Sequence, residues 1–126
     1  MPSLAKPSQP LRVMCLEDNP LIALHLEHMV EDLGHRIVQT FESWAEAEPK
    51  FAPHEIDCAL IDIDLADGRT GPLAAAWLRD RGVPALFVTG QEGLAQDHLD
   101  LVAGIVVKPV SMASLEDGLR AIAEAA

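Results

Sequence analysis

Five short apolar runs alternate along this chain with longer segments of helical period. The runs are Arg12–Leu16 (RVMCL), Arg36–Thr40 (RIVQT), Asp57–Asp62 (DCALID), Ala85–Val88 (ALFV) and Gly104–Val107 (GIVV). They are rich in β-branched residues and too short for helices, so they read as strands. Asp57–Asp62 is continuously apolar until its closing acid, the pattern of a strand buried on both faces. Strand–helix repeated five times predicts an α/β fold: a parallel sheet with helices on both faces and right-handed crossovers.

The helical segments carry their own start and stop signals. Asn19 is a good N-cap and Pro20 a good first helical residue. Ile22, Leu26, Met29, Val30 and Leu33 then recur along one face, and Gly34 ends the helix. Ser43 is placed to cap a second helix through Trp44, Ala45 and Ala47, with a ragged end at Pro49. Pro72–Arg81 presents Leu73, Ala74, Trp77 and Leu78, and Gly82 stops it. Ser111 caps a last helix with Met112, Leu115, Leu119 and Ile122 on its inner face. Residues 91–103 hold at most one short helix. Gly93, Gly104 and the acids Glu92, Asp97 and Asp100 weaken it, and this segment is expected to be mobile.

Composition narrows the function. The chain has 126 residues, a single-domain length, and at 49% hydrophobic it is globular rather than disordered. Nine Lys plus Arg against 20 Asp plus Glu give a formal charge of −11, which repels a phosphate backbone and argues against nucleic acid as a partner. Cys15 and Cys58 sit inside apolar runs and read as buried thiols rather than a disulfide scaffold. The opening MPSLAKPSQP has three Pro and no apolar core of a secretion signal, and no run approaches the ~20 apolar residues of a membrane span. The expectation is a cytoplasmic protein with a floppy tail over residues 1–10 and one domain over 11–126.

Ligands of such sheets bind beyond the carboxyl ends of the strands. Glu17 and Asp18 follow the first strand, Asp62 and Asp64 the third, Thr89 the fourth and Lys108 the fifth. Carboxylates crowded together repel unless a cation neutralises them, and all-oxygen donors suit Mg²⁺. A carboxylate can also serve as a nucleophile toward phosphorus. Thr89 and Lys108 are placed to contact the other phosphoryl oxygens.

Leu16-Glu17-Asp18-Asn19, Leu60-Ile61-Asp62, Val88-Thr89-Gly90 and Lys108-Pro109, in that order at strand ends, resemble the receiver domain of two-component response regulators. The resemblance covers roughly residues 11–126. It implies a CheY-like, flavodoxin-like five-stranded sheet of order 2-1-3-4-5. It implies Asp62 as phosphoacceptor from a sensor histidine kinase, with Glu17, Asp18, Asp62 and Asp64 (through its backbone carbonyl) as Mg²⁺ ligands. Thr89 and Lys108 become phosphoryl contacts, and Lys108-Pro109 a cis peptide. Chemistry is then limited to self-catalysed phosphoryl acceptance and autodephosphorylation. With the last helix closing the sequence, output falls to a downstream protein contact or a phosphate sink, and oligomeric state stays open.

Two departures stand out. The family usually carries a switch Tyr or Phe three residues before the Lys, where this chain has Ile105, and the Thr89–Lys108 stretch is short. With Phe87-Val88-Thr89-Gly90 and Ile63-Asp64-Leu65-Ala66-Asp67-Gly68, these features resemble alphaproteobacterial stand-alone receivers with a Phe-Ala-Thr-Gly-type motif. That subgroup includes LovR-like members of the general stress response.

Other readings compete. A phosphorylation-independent interaction module and a small Mg²⁺ phosphatase share much of the pattern. Asp62-Ile63-Asp64 lacks the Thr of a haloacid-dehalogenase motif, since Ala66 stands there. An EF-hand reading fails at Asp67 and Leu73. His25 and His28 are one turn apart on the first helix and read as ordinary surface residues; Trp44 and Trp77 read as packing residues.

Overall fold

The computed structural model describes residues 9–125. Of the tail expected over 1–10, residues 1–8 lie outside the described residues. The sheet has five parallel strands in the order β2-β1-β3-β4-β5: β1 (Arg12–Leu16), β2 (Arg36–Phe41), β3 (Cys58–Ile61), β4 (Ala85–Thr89) and β5 (Gly104–Val107). Five helices connect or follow them: α1 (Pro20–Asp32), α2 (Trp44–Ala47), α3 (Gly71–Arg79), α4 (Glu92–Gln96) and α5 (Met112–Ala125). Each strand expected from the sequence is present, displaced by at most a residue or two at its ends. Among the described residues, no helix is long and apolar enough to cross a membrane.

Strand periodicity divides the core in two. Met14, Leu16, Ala59, Ile61, Ala85 and Phe87 face α2 and α3; Val13, Cys15, Cys58, Leu60, Leu86 and Val88 face α1 and α5. All these side chains are buried, so the central strands have no polar face and read as continuous apolar runs. Cys15 and Cys58 are free, and burial pushes both thiols up to about 12.

Local signals account for the helix ends. The Asn19 carboxamide accepts from the Leu21 and Ile22 amides at 3.0 and 3.3 Å, and Gly34 leaves α1 with φ of 88°. Ser43 Oγ accepts from Glu46 N at 3.1 Å to start α2, and Ser111 Oγ accepts from Ser114 N at 3.1 Å to start α5. Pro49 falls in a one-turn 3₁₀ segment that follows α2 directly. Residues 91–103 hold α4 and a 3₁₀ turn over Leu99–Leu101, with Ala95 buried against the core.

Two expected core positions are corrected. Leu73 is 60% exposed and Met112 is 40% exposed. Leu73 is two residues beyond the buried Gly71, about 200° round the helix and so on its outer side, and Met112 is the first residue of α5. Ala74, Ala75 and Leu78 carry the inner face of α3, and Leu115, Leu119 and Ile122 that of α5. Trp44, Phe51 and Trp77 pack edge-to-face on one another, with ring centroids 5.4 to 6.2 Å apart. The Arg81 guanidinium stacks 3.6 Å from the centre of the Trp77 ring.

The α1–β2 turn carries a pH-dependent contact. His35 Nδ1 accepts from Leu11 N at 2.9 Å, which requires an unprotonated ring nitrogen, and burial lowers the imidazole below its ordinary value. The unfolded chain therefore binds this proton more tightly than the folded one. The contribution is complete above the unfolded value of about 6.5 and is lost as pH falls below it, down to the folded-state value. Urea midpoints are expected to drop between about pH 7.5 and 5.5, and less so in His35→Asn, whose carboxamide oxygen accepts the same bond without titrating.

Candidate functional site

The functional groups cluster where the strands end: Glu17, Asp62 and Lys108 stand just past β1, β3 and β5, Asp18 one residue further, and Thr89 is the last residue of β4. Glu17 N donates to Phe41 O and Asp62 N to Leu16 O, both at 3.0 Å, so these residues close the β1 ladders. Lys108 N donates to Thr89 O at 2.9 Å and closes β5 on β4. The sequence spacing is thereby turned into one edge bearing Glu17, Asp18, Asp62, Thr89 and Lys108. The Lys108–Pro109 peptide is cis, as the resemblance implies.

The Lys108 ammonium is the hub. Its Nζ lies 2.8 Å from Asp62 Oδ2 and 2.7 Å from Glu17 Oε1. The second oxygen of Asp62 accepts from the Ile63 amide at 2.7 Å, and the second oxygen of Glu17 from Asn19 N at 3.1 Å. Burial of Glu17, whose side chain is 2% exposed, raises its carboxyl above the ordinary value even with Lys108 and Asn19 opposing. Burial alone would lower the Lys108 ammonium, but the contacts to Asp62 and Glu17 outweigh it and hold the lysine above its ordinary value. Lysine is therefore a fixed cation here at any physiological pH.

Asp18 joins Glu17 and Asp62 at this edge, and one oxygen from each of the three lies within 4.8 Å of the others. Ligands on opposite sides of a Mg²⁺ ion sit about 4.2 Å apart, twice its 2.0–2.1 Å bond, so small side-chain adjustments make the trio a ligand set. Three carboxylates and one ammonium leave a formal −2, matching a divalent cation. Glu17 Oε1 is buried, with the Lys108 ammonium 2.7 Å away as its counter-charge. Oxygen-only donors and the residual negative charge fit a hard divalent ion.

Two expected residues have further engagements. The Asp64 carboxylate stands outside that trio; Arg69 Nε donates to it at 2.9 Å and the Gln91 carboxamide donates to its other oxygen. These two donors, Arg69 first, hold its carboxyl below the ordinary value. Thr89 is fully buried, and its hydroxyl accepts from Gln91 N at 3.0 Å, leaving the hydroxyl proton available to an incoming oxygen. Ile105 packs against the core face that holds Phe87.

Sequence reasoning missed Gly71, Gln91 and Arg69. Gln91 and Arg69 have no sequence signal, because their partner Asp64 is reached through loops. Gly71 stands before Pro72 at a helix start, which was a visible sign of a constrained backbone. A Cβ there would fall 2.1 Å from the Asp62 carbonyl oxygen and 2.7 Å from Ile63 Cα. The first turn of α3 thus rests directly on the backbone that carries Asp62. Gly71→Ala is expected to displace that backbone and to destabilise the fold by about 1–3 kcal/mol. A thermal melt reads this as a loss of roughly 4 °C per kcal/mol for a chain of 126 residues.

The sequence pattern of the response regulator receiver domain family matches residues 13–120. The virulence transcriptional regulatory protein PhoP of Salmonella choleraesuis is 30% identical over 117 residues, covering 89% of this chain and 51% of PhoP. The chain thus spans about half the length of the curated relatives it matches. The receiver domain of the PhyR response regulator of Erythrobacter litoralis superposes with a TM-score of 0.81 at 27% identity, covering 91% of each chain. The anti-anti-sigma factor PhyR of Bartonella quintana superposes at 0.80 with 26% identity, over 93% of this chain and 49% of that one.

Proposed function

The chain belongs to the response regulator receiver domain family, and from this we propose that it accepts a phosphoryl group on Asp62 from the phospho-histidine of a sensor histidine kinase. The observation that carries the reading is the Lys108 ammonium held between Asp62 and Glu17 at a strand edge with a residual charge of −2. An Asp62 oxygen attacks phosphorus in line, the phosphorus–nitrogen bond breaks, and neutral imidazole leaves once protonated. Water later attacks the same phosphorus and restores the carboxylate. Transfer of this kind asks for positioning and charge neutralisation rather than further covalent chemistry.

Each residue has a stated role. Lys108 orients Asp62 and supplies counter-charge, and Thr89 and the Ile63 amide donate to phosphoryl oxygens. Glu17, Asp18 and Asp62, with the backbone carbonyl of Asp64, hold Mg²⁺. When bound, the ion neutralises charge on the transferred oxygens. The Asp64 carboxylate, fixed by Arg69 and Gln91, restricts the approach of water and so tunes hydrolysis. The unit is the receiver over 11–126, acting in the cytoplasm on phosphoryl groups and proteins rather than on nucleic acid. It catalyses only its own acceptance and loss of phosphate. Likeness to the PhyR receivers, one of them described as an anti-anti-sigma factor, supports the general-stress assignment and output through a protein contact or as a phosphate sink.

Incubation with acetyl phosphate and Mg²⁺ is expected to add one phosphoryl mass to the intact protein, and never more than one. Asp62→Asn is expected to remove the adduct, as is chelation of the metal. Lys108→Met is expected to slow labelling by about 10²-fold, the usual loss when one charge-stabilising donor is removed. Full labelling of Asp62→Asn overturns the acceptor assignment. Steady turnover of phosphate esters favours the phosphatase reading, and absence of any adduct favours the interaction module that Ile105 suggests.

A further inference from the structure

We propose that the phosphorylation state of Asp62 is relayed to α2 and the Trp44–Phe51–Trp77 cluster through the 63–70 loop, with Asp67 as the coupling residue. The proposal rests on Asp62 being the acceptor.

The loop between Asp62 and α3 is a stiff closed unit. Its first amide, Ile63 N, is spent on Asp62 Oδ1, and its far end, Gly71, abuts the Asp62 carbonyl. In the middle, Leu65 N and Gly68 O, and Gly68 N and Leu65 O, pair at 2.8 and 3.0 Å. Ile63 and Leu65 are buried in the same core as Trp44 and Phe51. Both oxygens of Asp62 already have donors, Ile63 N and Lys108 Nζ. Phosphorylating either oxygen makes a mixed anhydride and moves the negative charge from the carboxylate out to the phosphoryl oxygens, so the loop's anchor changes on modification.

The loop is also stitched to α2. Ala66 N donates to Glu42 O at 2.9 Å. The Asp67 carboxylate accepts from Trp44 N at 3.3 Å, Ala45 N at 3.0 Å and Thr70 Oγ1 at 2.7 Å. Burial pushes this carboxyl up, but the donors from Thr70, Ala45 and Trp44 prevail and hold it below its ordinary value. Two of the first free amides of α2 thus depend on a residue five positions beyond Asp62. A helix of four residues has no stability of its own, so α2 follows whatever holds its first turn. Its first residue is Trp44, which meets Phe51 and Trp77 ring to ring. Position 105 carries an isoleucine, so no ring there can swing.

Tryptophan emission reads this directly, with beryllofluoride and Mg²⁺ as the phosphoryl mimic and ¹⁹F NMR as an independent measure of its binding. In the intact chain, bound beryllofluoride is expected to change the emission, and Trp77→Phe is expected to retain a change because Trp44 reports it. Asp67→Ala is expected to lose most of the change while the bound ¹⁹F signal persists. Should that variant fail to fold by circular dichroism, Thr70→Val, which removes one of the Asp67 contacts, is expected to diminish the change. An unaltered emission with beryllofluoride bound, or a full change in whichever of Asp67→Ala and Thr70→Val is folded, overturns the relay. Absence of a bound ¹⁹F signal in the intact chain overturns the acceptor reading, and the relay with it.

Discussion

One ammonium between two carboxylates sets the geometry of the working edge. Lys108 and Asp62 come from strands separated by β4, two interstrand spacings or about 9.6 Å apart. A span of that size is closed by the long lysine side chain, reaching over the short threonine that ends β4. Glu17 sits on the far side, from β1. The lysine thereby ties three strand ends into one unit, and it does so at a buried site where unpaired charge is costly. Neither carboxylate alone would hold it there: one oxygen of each is taken by a backbone amide, and the other faces the lysine.

The rest of the fold serves to fix those strand ends. Packing on both faces favours one register, since a one-residue slip would exchange the differently shaped residues facing the two helical layers. The edge residues then inherit their positions from the ladders. Asp62 is held twice more, by the seat of α3 at Gly71 and by the closed loop behind it. A rigid scaffold carrying a small number of polar groups on its loops is the usual division of labour in α/β sheets.

The sequence made the strands and their terminal polar residues readable because two signals coincide there: an apolar β-branched run stops, and a charged or hydroxyl residue takes over. Asn19, Gly34, Ser43 and Ser111 were equally readable, since a cap is a local interaction. What stayed hidden depends on partners distant in sequence. Leu73 and Met112 face solvent because the buried face of α3 runs through Gly71, Ala74, Ala75 and Leu78, and that of α5 begins only at Leu115, which only the packed helices reveal. Asp67 was visible only as part of a motif, and its bonds to Trp44 and Ala45 appear only once the loop is folded beside α2. Asp64 was expected among the edge carboxylates, and it is Arg69 and Gln91, on two loops, that claim its carboxylate.

The paired thiols of the central strands carry a kinetic consequence. Cys15 and Cys58 lie on adjacent strands of the innermost layer, fully enclosed, with their acidity suppressed to about 12. A thiol-specific reagent needs both access and thiolate, and the native sheet grants neither. Labelling at these positions is therefore a clock for openings that lift α1 and α5 from the sheet, and its rate sets a ceiling on how long the acid edge above them keeps its shape.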